Sequence, residues 1–434
     1  MRAGTARTRC ARLACATLAL ATASGAASGQ PAAAPGATDA GPPSGLAYAL
    51  HSAVANNPKA WSSRAQLTVK QSDVWSAQAA RLPSLSGQVG TDDAEIDRST
   101  VSVAQPLFAF GRIQNGVKKA QAALDAETWA LRKSERVLIE ETAMAYGRIQ
   151  GIRQRDVVAG QNIAEHERLY ERIERRRAGR LASDTDVRLA FSRLVQAQAQ
   201  QATLAGDLAV AVAELQALTQ AEVDTEPDVD PMHAELPDRE TIEALALERS
   251  AALKERMDAL EELRYDVTLE RARSLPTLSA RVEHVFGDRI GGSEATRVGV
   301  FFQGNVEGAG FVALGRVRGA AAKLRAAEHD LDGARTEVIR RTRTLIASRE
   351  VQSNLIRSQR AALEAAAATK ESFERQFESG HKTFLELLNI QRELAEVGLQ
   401  LAQAKNEWLV VSLQLAALTG RLDALAGLAG MESS

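Results

Sequence analysis

The sequence predicts a mainly α-helical chain with a small β-part, laid out as two copies of one plan. Three observations carry this. Short marks recur about 200 residues apart and in the same order. Leu82-Pro83-Ser84-Leu85-Ser86 returns as Leu275-Pro276-Thr277-Leu278-Ser279, Gly111-Arg112-Ile113 as Gly315-Arg316-Val317, and Leu215-Gln216-Ala217-Leu218-Thr219 as Leu415-Ala416-Ala417-Leu418-Thr419. A fixed order of repeated marks is the signature of an internal duplication. Aromatics make up only 4% of the 434 residues, while Ala, Leu, Glu, Gln, Arg and Lys dominate, the mixture of long helices and coiled coils. Between the marks, two short stretches per half alternate apolar and polar residues with the period of a strand.

Each element follows from local signals. Arg2, Arg7, Arg9 and Arg12 precede an apolar stretch from Leu13 to Ala23 and small-residue sites at Ala21-Thr22-Ala23 or Ser24-Gly25-Ala26. That is the layout of a secretory signal peptide, placed at 1–28. A Pro/Ala/Gly/Ser-rich disordered spacer follows at 29–44. Both cysteines, Cys10 and Cys15, fall in the leader ahead of most of its apolar stretch, so the leader reads as non-lipidated and the remainder has no thiol chemistry.

The first structural repeat, 45–221, opens with a helix from Leu46 to Leu82, broken at Asn56-Asn57-Pro58 and stopped by Pro83. Strands near 84–91 and 99–107 flank the polar turn Asp92-Asp93-Ala94-Glu95. A proline-free helix from Arg112 to about Arg177 has Leu131, Leu138, Ala145 and Ile152 at heptad spacing and is roughly 100 Å long. Gly179 marks a turn, and a second helix runs from Asp184 to Leu218. An acidic linker at 222–238 carries Pro227, Pro231 and Pro237. The second repeat, 239–424, repeats the order. Its first helix, Thr241 to Ser274, is expected to be straighter, because Ser250-Ala251 replaces Asn57-Pro58. Strands follow near 277–287 and 295–306, then a helix from about Gly315 to Phe377 and a turn near Gly380. The last helix has a seam through Leu387, Ile390, Leu394, Val397, Leu401 and on to Leu422. Residues 425–434 read as a flexible tail. No run beyond the leader reaches the ~20 apolar residues of a membrane helix. The net charge of -2, with both signs interspersed, gives no basis for a nucleic-acid partner.

The strands decide between functions. Leu278, Ala280, Val282 and Phe286 fall on one side, Ser279, Arg281 and Glu283 on the other. Such strands suit a soluble β-insert packed on a core, or a membrane barrel with its apolar side to lipid. Phe108, Phe110, Phe286, Phe301, Phe302 and Phe311 cluster at these segments like an aromatic girdle, and no other segment offers a cover for the apolar side. Four strands cannot close a barrel, which needs about eight, and open edges cannot sit in lipid. Several copies would have to pool their strands.

These features resemble the TolC-like outer membrane channel-tunnel (outer membrane efflux protein) family. The resemblance rests on the duplicated Leu-Pro-x-Leu-Ser, on Gln105-Pro106-Leu107-Phe108 with Gly111-Arg112, and on Gly380-His381-Lys382-Thr383-Phe384-Leu385-Glu386-Leu387-Leu388-Asn389. It covers Leu46 to Leu422. It implies a homotrimer whose strands form one β-barrel in outer membrane lipid, above a helical tunnel in the periplasm. It further implies hairpin tips, at Gly179 and Gly380, that contact a periplasmic adaptor and through it an inner-membrane ABC or proton-driven transporter. The periplasmic gate would fall on Lys382, Glu386 and Asn389, with Asp186 the counterpart of Glu386 and Phe377 at the constriction. Two departures stand out. Asn389 replaces a common acid, and the stretch from Gly308 to Gly315 replaces a tighter Pro-Leu-Phe turn.

Blander roles remain open for the same residues. Lys382 and Glu386 also suit a surface ion pair worth about 0.3–0.5 kcal/mol, and the two glycines suit simple hairpin turns. An enzyme is not expected. His51, His166, His233, His284, His329 and His381 are scattered, and the one Glu-x-x-His, Glu378 to His381, spans the hairpin glycine. No catalytic, cofactor or metal site is expected. Two classes stay in play: a passive export conduit, or an exported coiled-coil scaffold with a soluble β-insert. Within the first, the Thr-Phe-Leu-Glu-Leu-Leu-Asn hairpin resembles members serving type I protein secretion more than those of drug efflux.

Overall fold

A computed structural model describes residues 45–92, 96–226, 229, 235–286, 295–304 and 307–428. The signal peptide and spacer expected at 1–44 lie outside the described residues, as do the turn at 93–95, the loop at 287–294 and much of the linker.

The first half contains α1 (Leu46–Asn56), α2 (Pro58–Ala79), β1 (Ser84–Asp92), β2 (Ile96–Phe108), α3 (Arg112–Ala178) and α4 (Asp184–Thr219). The second contains α5 (Arg239–Glu248), α6 (Ala251–Arg273), β3 (Thr277–Phe286), β4 (Ala295–Gln303), α7 (Phe311–Glu378) and α8 (Phe384–Leu418). The two halves match element for element. The break between α1 and α2 forms because Asn57 is extended, its side chain accepts from Lys59 N, and Pro58 takes the first helical position.

The straight helix expected over 241–274 is broken instead. Ser250 is extended (φ -63, ψ 108), and its Oγ accepts from Leu253 N at 3.3 Å. A serine cap therefore does at α5/α6 what Asn57-Pro58 does at α1/α2. A second difference lies after β4, which ends at Gln303. Gly308, Ala309 and Gly310 all take left-handed angles, and α7 starts at Phe311, ahead of the expected Gly315.

Two long rods organise the helices. α3 packs on α2 and α6 toward its strand end, and on α4 and α8 toward the other. α7 likewise packs on α6 and α8. Side by side the order is α2–α3–α6–α7 near the strands and α4–α3–α8–α7 farther away. Glycines set the α3–α8 spacing. A Cβ on Gly147 would lie 3.1 Å from Val410, one on Gly151 would overlap Asn406, and one on Gly398 would lie 3.1 Å from Val158.

The strands form one antiparallel sheet in the order β1-β2-β3-β4. Cross-strand partners share a face, so the register sorts the side chains. Leu85, Val103, Val282 and Val298 make one row of the apolar face, and Phe108, Leu278 and Phe302 another. Ser86, Ser102, Glu283 and Arg297 make a row of the opposite, polar face. All six clustered phenylalanines are exposed, from Phe110 at 39% to Phe311 at 75%. Phe301, however, falls on the polar face, where the Arg281 guanidinium sits 5.0 Å from its ring.

One core surrounds the middle of α3: Leu50 and Val54 of α1, Ile139, Tyr146 and Ile149 of α3, Leu215 of α4 and Leu413 of α8. Leu422 and Ala426 belong to it, at 1% and 2% exposure, so residues 425–428 are packed rather than part of a free tail. Arg132 donates to Leu428 O at 2.8 Å and Arg136 to Asp423 at 2.6 Å, which fastens that segment to α3. By length and composition α4 is apolar enough to cross a bilayer, contrary to the sequence expectation. Its Ala-, Leu- and Val-rich stretch from Ala202 to Thr219, interrupted only by Asp207 and Glu214 among charged residues, accounts for this.

Candidate functional site

The ends of the two hairpins lie together, and the site is best built from their turns. α3 ends at Ala178, and Leu181 N closes on Arg176 O at 2.8 Å. α7 ends at Glu378, and His381 N closes on Gln376 O at 2.8 Å. The left-handed residue is Gly380 (φ 80) in the second turn but Arg180 (φ 61) in the first. Gly179, expected to be the turn glycine, is right-handed at φ -77.

Both helices that return from the turns, α4 and α8, start with a capping box. Ser183 Oγ accepts from Asp186 N at 3.1 Å, and the Asp186 carboxylate accepts from Ser183 N and Oγ. Thr383 and Glu386 repeat this, with Thr383 N donating to Glu386 Oε2 at 2.8 Å. Lys382 Nζ adds a 2.6 Å bond to Glu386 Oε1 and lies 4.4 Å from the Phe373 ring centre. The Lys382 ammonium and the Thr383 donors together lower the Glu386 pKa to about 2. Of the expected gate residues, then, Asp186, Lys382 and Glu386 are engaged within their own hairpins. Asn389 is exposed. Phe377, expected at the constriction, is 5% exposed and buried in the core of the tip, against Phe384 at 5.8 Å between ring centres. Its apolar bulk is better satisfied there than in water.

That core joins both hairpins: Leu169 and Ile173 of α3, Val187 and Ala190 of α4, Phe377 of α7, and Phe384, Leu387 and Leu388 of α8. Polar ties run beside it. Lys370 of α7 meets Glu165 of α3 at 2.7 Å, and Gln391 of α8 donates to Asn162 of α3 at 3.0 Å. Arg172 reaches Glu378 at 4.0 Å, and the Arg176 guanidinium lies 4.6 Å from the Phe377 ring centre. The sequence announced the capping boxes through Ser-x-x-Asp and Thr-x-x-Glu. These long-range ties left no local signal.

The outer membrane efflux protein family matches residues 49–220 and 244–421, one stretch for each structural half. The chain belongs to this family. The outer membrane efflux protein BepC of Brucella suis is 25% identical over 399 residues, spanning 87% of this chain and 86% of BepC. Among solved structures, the outer-membrane channel OprN superposes with a TM-score of 0.74 at 20% identity, covering 86% of this chain and 89% of OprN. CusC gives 0.76 at 16% identity, covering 86% and 91%.

As an outer membrane efflux protein, the chain has its strands in the outer membrane and its helices in the periplasm as tunnel wall. It is a channel component of tripartite export systems. Beside the core that joins the hairpins, a crevice of about 690 Å³ runs between α3, α7 and α8, lined by Val157, Gln161, Asn162, Lys370, Gln391 and Leu394 among others. The two hairpins are held together at this end by that core and a few polar ties beside the crevice.

Proposed function

We propose that three copies of this chain close into a passive conduit that carries type I secretion substrates from a periplasmic adaptor and an inner-membrane ABC transporter to the outside. The observation that carries it is a pair of open edges in both layers. β1 and β4 each pair on one side only among the described residues, and the helical layer ends in α4 and α2 on one side and α7 on the other. Edges that differ are heterologous, and heterologous edges make a ring where the rotation between copies closes. Counted in residues from the tip, exposed Gly206 and Val210 of α4 stand level with exposed Leu355 and Val351 of α7, so apolar groups face apolar groups across the joint. The sheet fits lipid as well. From the Leu278 row to the Phe286 row is ~27 Å of strand, or ~20 Å of height at a tilt of ~40°, against an apolar band of ~25 Å in such barrels.

At the tip, the gate comprises Lys382, Glu386 and Asn389 with Asp186, and the turns at Gly179 and Gly380 form the adaptor contact. Three Lys382–Glu386 pairs around one axis would place like charges near each other, which favours bridges between neighbouring hairpins over the pair within one. Replacing both with Ala should raise single-channel conductance in a planar bilayer; unchanged conductance removes the assignment.

The conduit itself is tested by fractionation. It should stay with detergent-extracted outer membrane as a heat-labile oligomer, whereas a coiled-coil scaffold would wash off with salt. Drug efflux with a proton-driven transporter is the second reading, favoured by the name of the Brucella suis relative. Export of a secreted protein, measured with and without this chain beside its neighbouring transporter genes, separates the two.

A further inference from the structure

We propose that His166 is an acid-responsive latch between the two hairpins, letting the tip close while neutral and parting the hairpins when protonated. This rests on the conduit reading, because a latch matters only if the tip closes a passage. His166 lies on α3 where the tip core meets the α3–α8 crevice, one turn from the core residue Leu169 and next to the crevice residue Glu165. It is 4% exposed. The charged groups around it are Glu165 of its own helix, Arg193 of α4 and Lys370 of α7. Glu165 is already engaged by Lys370 at 2.7 Å and Arg168 at 2.5 Å, and Glu374 lies 3.7 Å from Lys370. The His166 Nδ1 is buried without a hydrogen-bond partner.

An added proton would therefore put a third cation beside Arg193 and Lys370, with the single adjacent carboxylate already shared. The least disruptive response is for α4 and α7 to move away from α3, which lets water reach all three. Since Lys370 is also the tie from α7 to Glu165, the same movement loosens the joint between hairpins.

The direction of the pH response follows from linkage. Burial first, then Arg193 and Lys370, hold the His166 pKa below its ordinary value, with Glu165 opposing. In an opened tip the ring meets water and regains a value near ~6.5. The closed form then binds fewer protons, so its advantage is complete above that value and declines as pH falls through it. Glu386, at about 2, and Glu165, also lowered, stay ionised throughout that window.

The full-length protein in planar bilayers at pH 7.5 and pH 5.0 tests the latch. The wild type should show an open fraction at least ~3-fold higher at pH 5.0. His166→Gln should remove that difference, while His381→Gln, at an exposed position of the same tip, should keep it. A second arm guards against a folding defect at position 166. With Asn162→Cys and Gln391→Cys joined by oxidation, α3 is pinned to α8, and the acid response should vanish until reductant is added. A wild type indifferent to pH, or an acid response that survives in His166→Gln or in the oxidised pair, overturns the latch. A wild type that inserts but conducts at neither pH overturns the conduit instead.

Discussion

Arg180 and Gly380 occupy the same place in two copies of one turn, and only one of them suits it. A left-handed residue with a Cβ costs about 1 kcal/mol relative to glycine. Arg180→Gly should therefore raise the thermal midpoint of the detergent-solubilised protein slightly, the gain being reduced by glycine's freedom in the unfolded chain. Gly380→Ala should lower it by an amount equivalent to about 1 kcal/mol. Equal effects at both positions would mean that the turns do not share one geometry. The caps beside them respond to acid in a defined order. The Glu386 pKa is depressed, so its contribution is complete above the ordinary carboxylate value and is lost as pH falls through about 2. Amide protection at the start of α8 should persist at pH 4 in the wild type. Lys382→Ala removes the leading cause of that shift and should move the loss of protection to higher pH. The same profile in wild type and variant would show that Thr383 alone holds the carboxylate.

Among elements, the packing of α3 on α8 is the most sensitive to a single methyl group. Gly147 leaves room for Val410, and Gly147→Val should destabilise by about 1–3 kcal/mol, as overpacked sites do. Chemical denaturation in detergent reads this directly, and a neutral result would mean that the helices re-space freely. Sequence periodicity made these helices legible, because a heptad seam such as Leu387 to Leu422 is a local fact repeated many times. The strand pairs and their two faces were equally legible, since alternation fixes the face once the register is known. What escaped was decided by single residues or by distant partners. Ser250 breaks a helix by capping it, which a proline search passes over. Phe377 reads as a constriction aromatic by position, yet Phe384 and Leu387 across the turn take it into the core. Arg172, Lys370 and Gln391 meet partners on helices whose relative rotation no single stretch encodes. The proposed gate positions rest on the family resemblance alone, while the geometry accounts for the local engagement of Asp186, Lys382 and Glu386.

Over the whole molecule, two tests follow from open edges and a two-faced sheet. Val282→Arg, on the apolar face, should impair insertion by about 2–4 kcal/mol, whereas Ser102→Arg, on the polar face, should be tolerated. Membrane yield of the two variants checks this, and equal losses would argue for a sheet buried on both sides. Ring closure makes a sharper demand. Every copy of a heterologous ring must offer both of its edges, so one blocked edge spoils any ring that includes it. Gly206 lies on the exposed side of α4, and a Cβ there meets nothing within 4 Å. Gly206→Arg also improves helix propensity, so lost assembly could not be attributed to a weakened helix. Co-expressed in equal amounts with wild type, it should leave only rings made wholly of wild-type copies. For three copies that is about one eighth of the normal heat-labile oligomer, and the exponent of the decline with mutant fraction reads the copy number directly. A linear decline would mean that the α4 edge is not part of the joint.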